Sequence, residues 1–435
     1  MKKDKYRDTY RILAKGILQS NNTRETGLNN NDLIIGPSGS GKTRGYVIPN
    51  ILQANESMII ADTKGNLADT FTPYLKKKGY KVKVLDFKNT LNSCGFNPLD
   101  NIRYNSETGR YSEQDILKLA ACIAPDMNEK EPFWDQQGRS LLVVLIAYVL
   151  EKMSPKERNL VSVLRMFSDW TKESAGKMFA RLEHSDPESF ALARYKMIKR
   201  NSDAEKMSAG IEAFTEEALD IFAFDGTKRM VTNPDKVDIK AIGRKKTAVF
   251  LNISDTDRSM DKLVNVFYTQ ALQILCDEAE NHPGCRLPVP VRFIMDDFAT
   301  NTKVPDFDNI ISVIRSRQIS VSLVVQSITQ LDGLYGSDRA RTIVNNCDTC
   351  LYLGGQDIKT AEMMSVKADV PVNAILDMST KDAYLFVRGE SARKVKKYTP
   401  ADHPEYVNVM EALGDEELPE PAEEPEEELT LGFSL

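Results

Sequence analysis

The chain has 435 residues, too many for one simple core, and its 41% hydrophobic and 28% charged residues are ordinary globular usage that excludes wholesale disorder. The net charge of −6 by itself argues against a nucleic-acid partner, but twelve Asp plus Glu and no Lys or Arg lie from Ala401 onward, so residues 1–400 carry +6. Six scattered Cys exclude a disulfide scaffold. Cys347-x-x-Cys350 lacks the second pair of a zinc site, so buried thiols are the simpler reading. Three His are poor material for His-based catalysis. The longest apolar run, residues 141–150, is about half of what a membrane-spanning helix needs, and the basic N-terminus has no signal-peptide core. The chain therefore reads as soluble and cytoplasmic.

Residues 1–31 are polar and basic and read as a flexible or peripheral lead-in. A strand is predicted at 33–35, then a Gly-rich turn and a helix from Gly41. A strand at 57–61 ends in Asp62-Thr63-Lys64-Gly65, a helix runs to about Lys78, and a third strand covers 81–86. This alternation predicts βαβ units and a parallel sheet over 32–111. The β pattern then vanishes over 112–239. Ser112 opens a helix, Pro132 precedes a long one over 133–153, and Asn159 caps another. Asp186-Pro187-Glu188 reads as N-cap, first-turn Pro and acidic first turn, and 204–222 is amphipathic. These helices read as an all-α domain inserted in the sheet.

The β pattern returns over 240–400. Strands are predicted at 246–253, 291–295, 320–325 and 383–388, with helices at 261–280 and 306–316 between them. Residues 401–435 read as an acidic, largely disordered tail, Pro/Glu-rich from Gly414 to Glu428.

The strongest chemical signal is Gly36-Pro37-Ser38-Gly39-Ser40-Gly41-Lys42-Thr43, a full G-x-x-x-x-G-K-[ST] between an apolar strand and a helix. Gly residues let the backbone curl so that successive N–H groups face phosphate oxygens, reinforced by the helix N-terminus. Lys42 is placed to reach the β- and γ-phosphates of ATP and Thr43 to ligate Mg²⁺. A second strand ends in Asp296-Asp297. Asp296 is expected to hold Mg²⁺ through water, and Asp297 to act as general base on the attacking water. Asp62 is a rival for either role. Gln326 follows the strand VSLVV and is expected beside the phosphate loop. Arg315 and Arg317 are candidates for an arginine reaching into a neighbouring subunit, the expectation favouring Arg315. The basic stretch 194–206 and Lys228-Arg229 are possible nucleic-acid contacts, a solvated helical face being the simpler reading.

Taken with ADTKGNL (61–67), Cys94-Gly95-Phe96-Asn97-Pro98-Leu99, Phe133-Trp134-Asp135, IMDDF (294–298) and Val325-Gln326-Ser327-Ile328-Thr329-Gln330-Leu331, the motif set resembles the type IV coupling proteins (TraG/TraD-like). The resemblance covers roughly residues 30–400. It implies a RecA-like P-loop NTPase fold with a mostly parallel central sheet and an inserted all-α domain, assembled as a homo-oligomer, as a rule a hexamer. It implies an ATP-driven motor that recruits relaxase-bound single-stranded DNA, with contacts to double-stranded DNA and accessory proteins, and delivers it to a type IV secretion channel at the membrane. Lys42 and Thr43 match the Walker A pair, Asp296 the Walker B aspartate, Gln326 the glutamine of the third motif, and Arg315 the family's arginine eleven residues before it. Asp297 departs from the usual Glu, which bears on turnover more than on binding. The family's N-terminal transmembrane pair is not in the sequence, so the chain reads as the soluble portion of a membrane-anchored protein, or as a naturally soluble member relying on a separate membrane partner, working at the inner face of the membrane. A substrate receptor with little turnover, or another hexameric DNA translocase or helicase, are the alternatives.

Overall fold

The computed structural model describes residues 9–125, 133–201, 205–298 and 303–413. A hairpin of β1 (Tyr10–Ala14) and β2 (Ile17–Ser20) comes first. The main sheet takes β3 (Asp32–Ile35), β4 (Ser57–Asp62) and β5 (Lys81–Asp86) from the first half of the chain. A two-residue ribbon, β6 (Tyr104–Asn105) with β7 (Arg110–Tyr111), follows. The second half adds β8 (Thr247–Asn252), β9 (Val291–Met295), β10 (Ile319–Val325), β11 (Thr349–Tyr352), β12 (Asp382–Val387) and β13 (Arg393–Lys396).

The nine-stranded order is β13-β12-β11-β3-β10-β9-β4-β8-β5. The seven strands from β11 to β5 run parallel, and β12 and β13 close one edge antiparallel. Central strands such as ISVSLVV are buried at every residue because helices cover both faces, which is why they read as continuous apolar runs rather than alternating ones. β3 and β10 lie side by side, and β9 is β10's other neighbour, so the ends of all three fall on one rim.

The helical insertion leaves the sheet after β5 and returns before β8. Its two connections are stapled together: Gly95 N–H donates to the Asp235 carbonyl at 2.8 Å, and Val237 N–H to the Gly95 carbonyl at 2.9 Å. Only Gly fits here, since a Cβ on residue 95 would stand 2.5 Å from the Asn233 carbonyl oxygen. The Phe96-Asn97-Pro98-Leu99 segment is a structural clasp. Phe96 packs edge-on against Phe267 at 5.2 Å, Asn97 Nδ2 donates to the Arg158 carbonyl at 2.8 Å, and Gln270 Nε2 donates to the Pro98 carbonyl at 2.9 Å. Inside the insertion, the helix Phe133–Lys152 is buried on all sides from Leu141 to Ala147, which explains its lack of an amphipathic pattern. Asn159 caps Leu160–Ser168 by accepting the Ser162 N–H at 3.0 Å, as its position predicts.

Several sequence expectations need correction. Residues 10–20, read as a flexible or peripheral lead-in, form an ordered hairpin, because Arg11 is only 2% exposed and bonds Asp32 at 2.8 Å. Asn50 clamps the same strand, accepting the Ile12 N–H and donating to the Ile12 carbonyl, both at 2.9 Å. Asp186 is not the N-cap of the next helix but the C-cap of the preceding one, Lys172–Ser185, its N–H donating to the Leu182 carbonyl at 2.7 Å. It binds Arg110 at 2.7 Å and Lys152 at 2.6 Å, and the helix Phe190–Asn201 is opened instead by Ser189, whose Oγ accepts the Leu192 N–H. The acidic tail begins later than expected: residues 401–413 include the helix Tyr406–Leu413, with Val409 fully buried and Glu405 paired to Lys78 at 2.8 Å. The disorder read for 414–435 lies outside the described residues. Among the described residues, no helix is long and apolar enough to cross a membrane.

Candidate nucleotide site

The loop 36–43 leaves the C-terminal end of β3, held at its start by the Gly36 N–H donating to the Val325 carbonyl of β10 at 3.1 Å. Gly39 and Gly41 take left-handed backbone, φ 76° and 87°, which an L side chain resists. Lys42 Nζ sits in the mouth of the loop and donates to the carbonyls of Gly36 at 2.8 Å and Pro37 at 2.9 Å. Burial pushes its pKa down, Asp297 and Asp296 pull it up, and Lys64 lowers it further. Thr43 opens a π-helical turn, Thr43–Val47, that runs into the helix Ile48–Gln53.

Asp296 follows β9, and the Thr43 hydroxyl donates to its Oδ2 at 2.6 Å. The sequence thus places two residues 253 positions apart on one point. Asp296 is 7% exposed, and burial lifts its pKa to about 6 against the Thr43 bond, with Asp297 lifting and Lys42 lowering it. A hydroxyl and a carboxylate converging here are hard oxygen donors, the sparse protein set that Mg²⁺ favours when phosphates complete its shell. Asp297 is left-handed at φ 49°, with its N–H donated to Asp296 Oδ1 at 3.1 Å.

Gln326 stands on the same rim, one residue beyond β10 and across from Gly36. It lines a cavity with Pro37, Gln330, Tyr352, Gln356 and Asp357. Asp62, the rival acid, is otherwise engaged: it accepts N–H groups from Gly65 at 2.7 Å, Leu67 at 2.8 Å and Ala68 at 3.2 Å, opening the helix Leu67–Lys77. Arg315 precedes β10 and lies on the opposite rim. Seven strand residues separate the two ends of β10, about 20 Å, so Arg315 is beyond reach of its own phosphate loop. Its guanidinium is exposed and donates to the carbonyls of Gly27 at 2.8 Å and Thr23 at 3.3 Å. Arg317 pairs with Glu280 at 2.8 Å. Cys350 is buried in β11 and Cys347 half-buried, both thiols pushed up by burial, as simple core thiols are. Sequence reasoning missed Lys64 and Lys397 as charges around the loop; Lys64 lies in the quoted DTKGNL run, whereas Lys397 had no local signal.

Among known proteins, the chain is 25% identical over 350 residues to the conjugal transfer protein TraG of Escherichia coli, covering 77% of this chain and 54% of that protein. It is 22% identical over 337 residues to protein VirD4 of Rhizobium radiobacter, covering 77% and 47%. The chain spans about half the length of the curated relatives it matches. Its structure superposes on the plasmid coupling protein TrwB in complex with the non-hydrolysable ATP analogue ADPNP, with a TM-score of 0.66, 17% identity and 89% of each chain covered. TrwB in complex with ADP and Mg²⁺ gives a TM-score of 0.65. The likeness establishes a RecA-like P-loop NTPase fold. The family described as Type IV secretory system Conjugative DNA transfer matches residues 1–368, and the chain belongs to it.

Proposed function

We propose that this chain is an ATP-driven coupling protein that takes relaxase-bound single-stranded DNA to a type IV secretion channel at the membrane. The observation that carries the reading is the Thr43–Asp296 contact of 2.6 Å with Lys42 in the loop beside it, which unites the two nucleotide motifs on one rim. Lys42 would hold the β- and γ-phosphates, and the loop N–H groups would share their charge. Thr43, and Asp296 through water, would hold Mg²⁺, which would neutralise phosphate charge when bound. Asp297 would take the proton of the attacking water and Gln326 orient that water. Arg315 would act in the adjacent subunit, which makes the catalytic unit a homo-oligomer, proposed to be a hexamer. A DNA partner suits the +6 charge of residues 1–400, and relaxase, accessory and channel proteins are proposed as further partners.

The second reading, a nucleotide-dependent receptor with little turnover, is favoured by Asp297, whose carboxylate is one methylene shorter than the usual Glu. ATP hydrolysis by the assembled protein with and without single-stranded DNA separates the two. DNA-stimulated turnover abolished in Lys42→Ala supports the motor. Tight nucleotide binding without turnover under the same conditions supports the receptor, and wild-type hydrolysis by Lys42→Ala removes the site assignment altogether.

A further inference from the structure

A phosphate loop turns its N–H groups inward to meet an anion, which leaves its carbonyls pointing outward in need of donors. Two lysines supply them here. Lys42 meets the carbonyls of Gly36 and Pro37. The second is Lys397, just beyond β13, whose half-buried Nζ donates to the Ser40 carbonyl at 2.9 Å and to the Leu353 carbonyl, beyond the end of β11, at 3.0 Å. Lys397 is 357 residues from Ser40 in sequence, so this bond ties the turn of the loop to the far part of the sheet.

The surroundings make the tie directional. Leu353 is itself fixed, donating its N–H to the Ile35 carbonyl of β3 at 2.8 Å, so its carbonyl is a rigid anchor for the ammonium. The Lys397 N–H donates to the Lys381 carbonyl at 3.2 Å, which holds the backbone from which the side chain reaches. The next residue lies over the start of the nucleotide helix: a Cβ on Gly45 would stand 3.3 Å from the Tyr398 carbonyl oxygen. An ammonium on the Ser40 carbonyl also polarises the Ser40–Gly41 peptide and so strengthens the Gly41 N–H as a donor. A charge-assisted bond there fixes the curl and strengthens the donor side of that peptide at the same time.

We infer that Lys397 is a positioning residue for nucleotide binding, a second lysine that clamps the phosphate loop from outside by joining the carbonyls of Ser40 and Leu353. It acts on the phosphates through the loop and not by touching them. The inference rests on the P-loop reading of the preceding section. Its effect should be felt by the polyphosphate, in ADP and ATP alike, and hardly by the chemical step.

The test is titration of MgADP and MgATP, together with thermal melting in the absence of nucleotide and steady-state kinetics. Lys397→Met keeps the apolar stem and removes the donors; it should raise the dissociation constant for both nucleotides about tenfold, the loss of one charge-assisted bond. KM should rise with kcat changed less than about twofold. Lys397→Arg, which can reach two carbonyls with one fork, should recover most of the affinity, and Lys397→Gln serves if the Met variant does not fold. A variant that melts well below wild type yet binds MgADP with unchanged affinity would make Lys397 a structural clasp only and overturn the inference. Equal affinity of the Met and wild-type proteins does the same. Lys42→Ala run in parallel separates the two levels: if it still binds nucleotide as wild type does, the P-loop reading fails, whereas loss of binding there with normal binding by Lys397→Met fails this inference alone.

Discussion

Replacing Arg11 by Met tests whether the N-terminal hairpin is integral to the nucleotide-binding domain. Arg11 and Asp32 are 2% and 1% exposed, and their closest contact is 2.8 Å. The guanidinium also donates to the Ser20 carbonyl, Asn21, Asn30 and Thr349, at 3.2 to 3.3 Å. Removing one partner of a buried pair costs about 3–5 kcal/mol, because the other charge is left without compensation. Asp32 keeps the Tyr46 hydroxyl, at 2.5 Å, and Arg292, at 3.3 Å, so the lower end, about 3 kcal/mol, is expected. With a urea slope of about 3 kcal/mol/M, the midpoint should fall by about 1 M. Far-UV circular dichroism is the appropriate probe, since both Trp, 134 and 170, lie in the helical insertion. Lys at position 11 should recover part of the loss, and Arg11→Met combined with Asp32→Asn should fall short of the sum of the singles. A midpoint shift below roughly 0.3 M for Arg11→Met would mean that the hairpin contributes little and that the ion pair merely fills space.

Three shorter predictions concern the site and the insertion. Asp297→Asn should leave nucleotide affinity within about threefold while turnover falls by about 10²-fold or more; turnover at the wild-type rate would exclude Asp297 as the base. Arg315→Ala should bind nucleotide normally, hydrolyse it about 10³-fold more slowly in the assembled protein, and be rescued in mixed oligomers by subunits that carry Arg315 but a disabled Lys42; absence of any rescue counts against action across subunits. Asp115, 6% exposed, has its pKa raised by burial but lowered overall by the Arg103 side-chain and backbone bonds. Its stabilisation is therefore present above the unfolded value of about 3.9 and lost as pH falls through the lower folded value, so wild type and Asp115→Asn should converge in stability in acid; parallel acid unfolding curves would contradict that.

The phosphate loop, the strands of the parallel sheet and the helical character of the insertion were legible because their signals are local: a Gly-Lys-Thr motif, continuous apolar runs, and capping residues such as Asn159. What escaped was decided at long range. Arg11 reads as one more basic residue in a polar lead-in, and only Asp32, 21 positions on, makes it a core residue. Asp186 obeys the local grammar of a helix start, yet Arg110 and Lys152 offer it two charges, worth more than a cap. Asp62 has the position of a metal ligand, but three N–H groups of the following turn already bind its carboxylate. β11 was hidden because it is only four residues, Thr349 to Tyr352, too short a run to show a strand period of its own.

The polarity of the sheet links these features. All seven parallel strands begin on one rim and end on the other, so the residues after β3, β9 and β10 gather together while those before β10 are carried to the opposite side. Lys42, Thr43, Asp296, Asp297 and Gln326 follow the strands; Arg315 precedes one. A single subunit therefore carries the proposed phosphate-binding residues at one rim and Arg315 about 20 Å away at the other. In the proposed homo-oligomer, subunits stacked rim to rim would complete each site with the neighbour's Arg315, which an isolated subunit could not do for itself. The carbonyls of Thr23 and Gly27 that hold Arg315 belong to the segment just after the hairpin, whose strand β1 is clamped by Asn50 on the nucleotide helix. One short N-terminal stretch thus touches both the helix Ile48–Gln53 that follows the loop and Arg315 on the opposite rim.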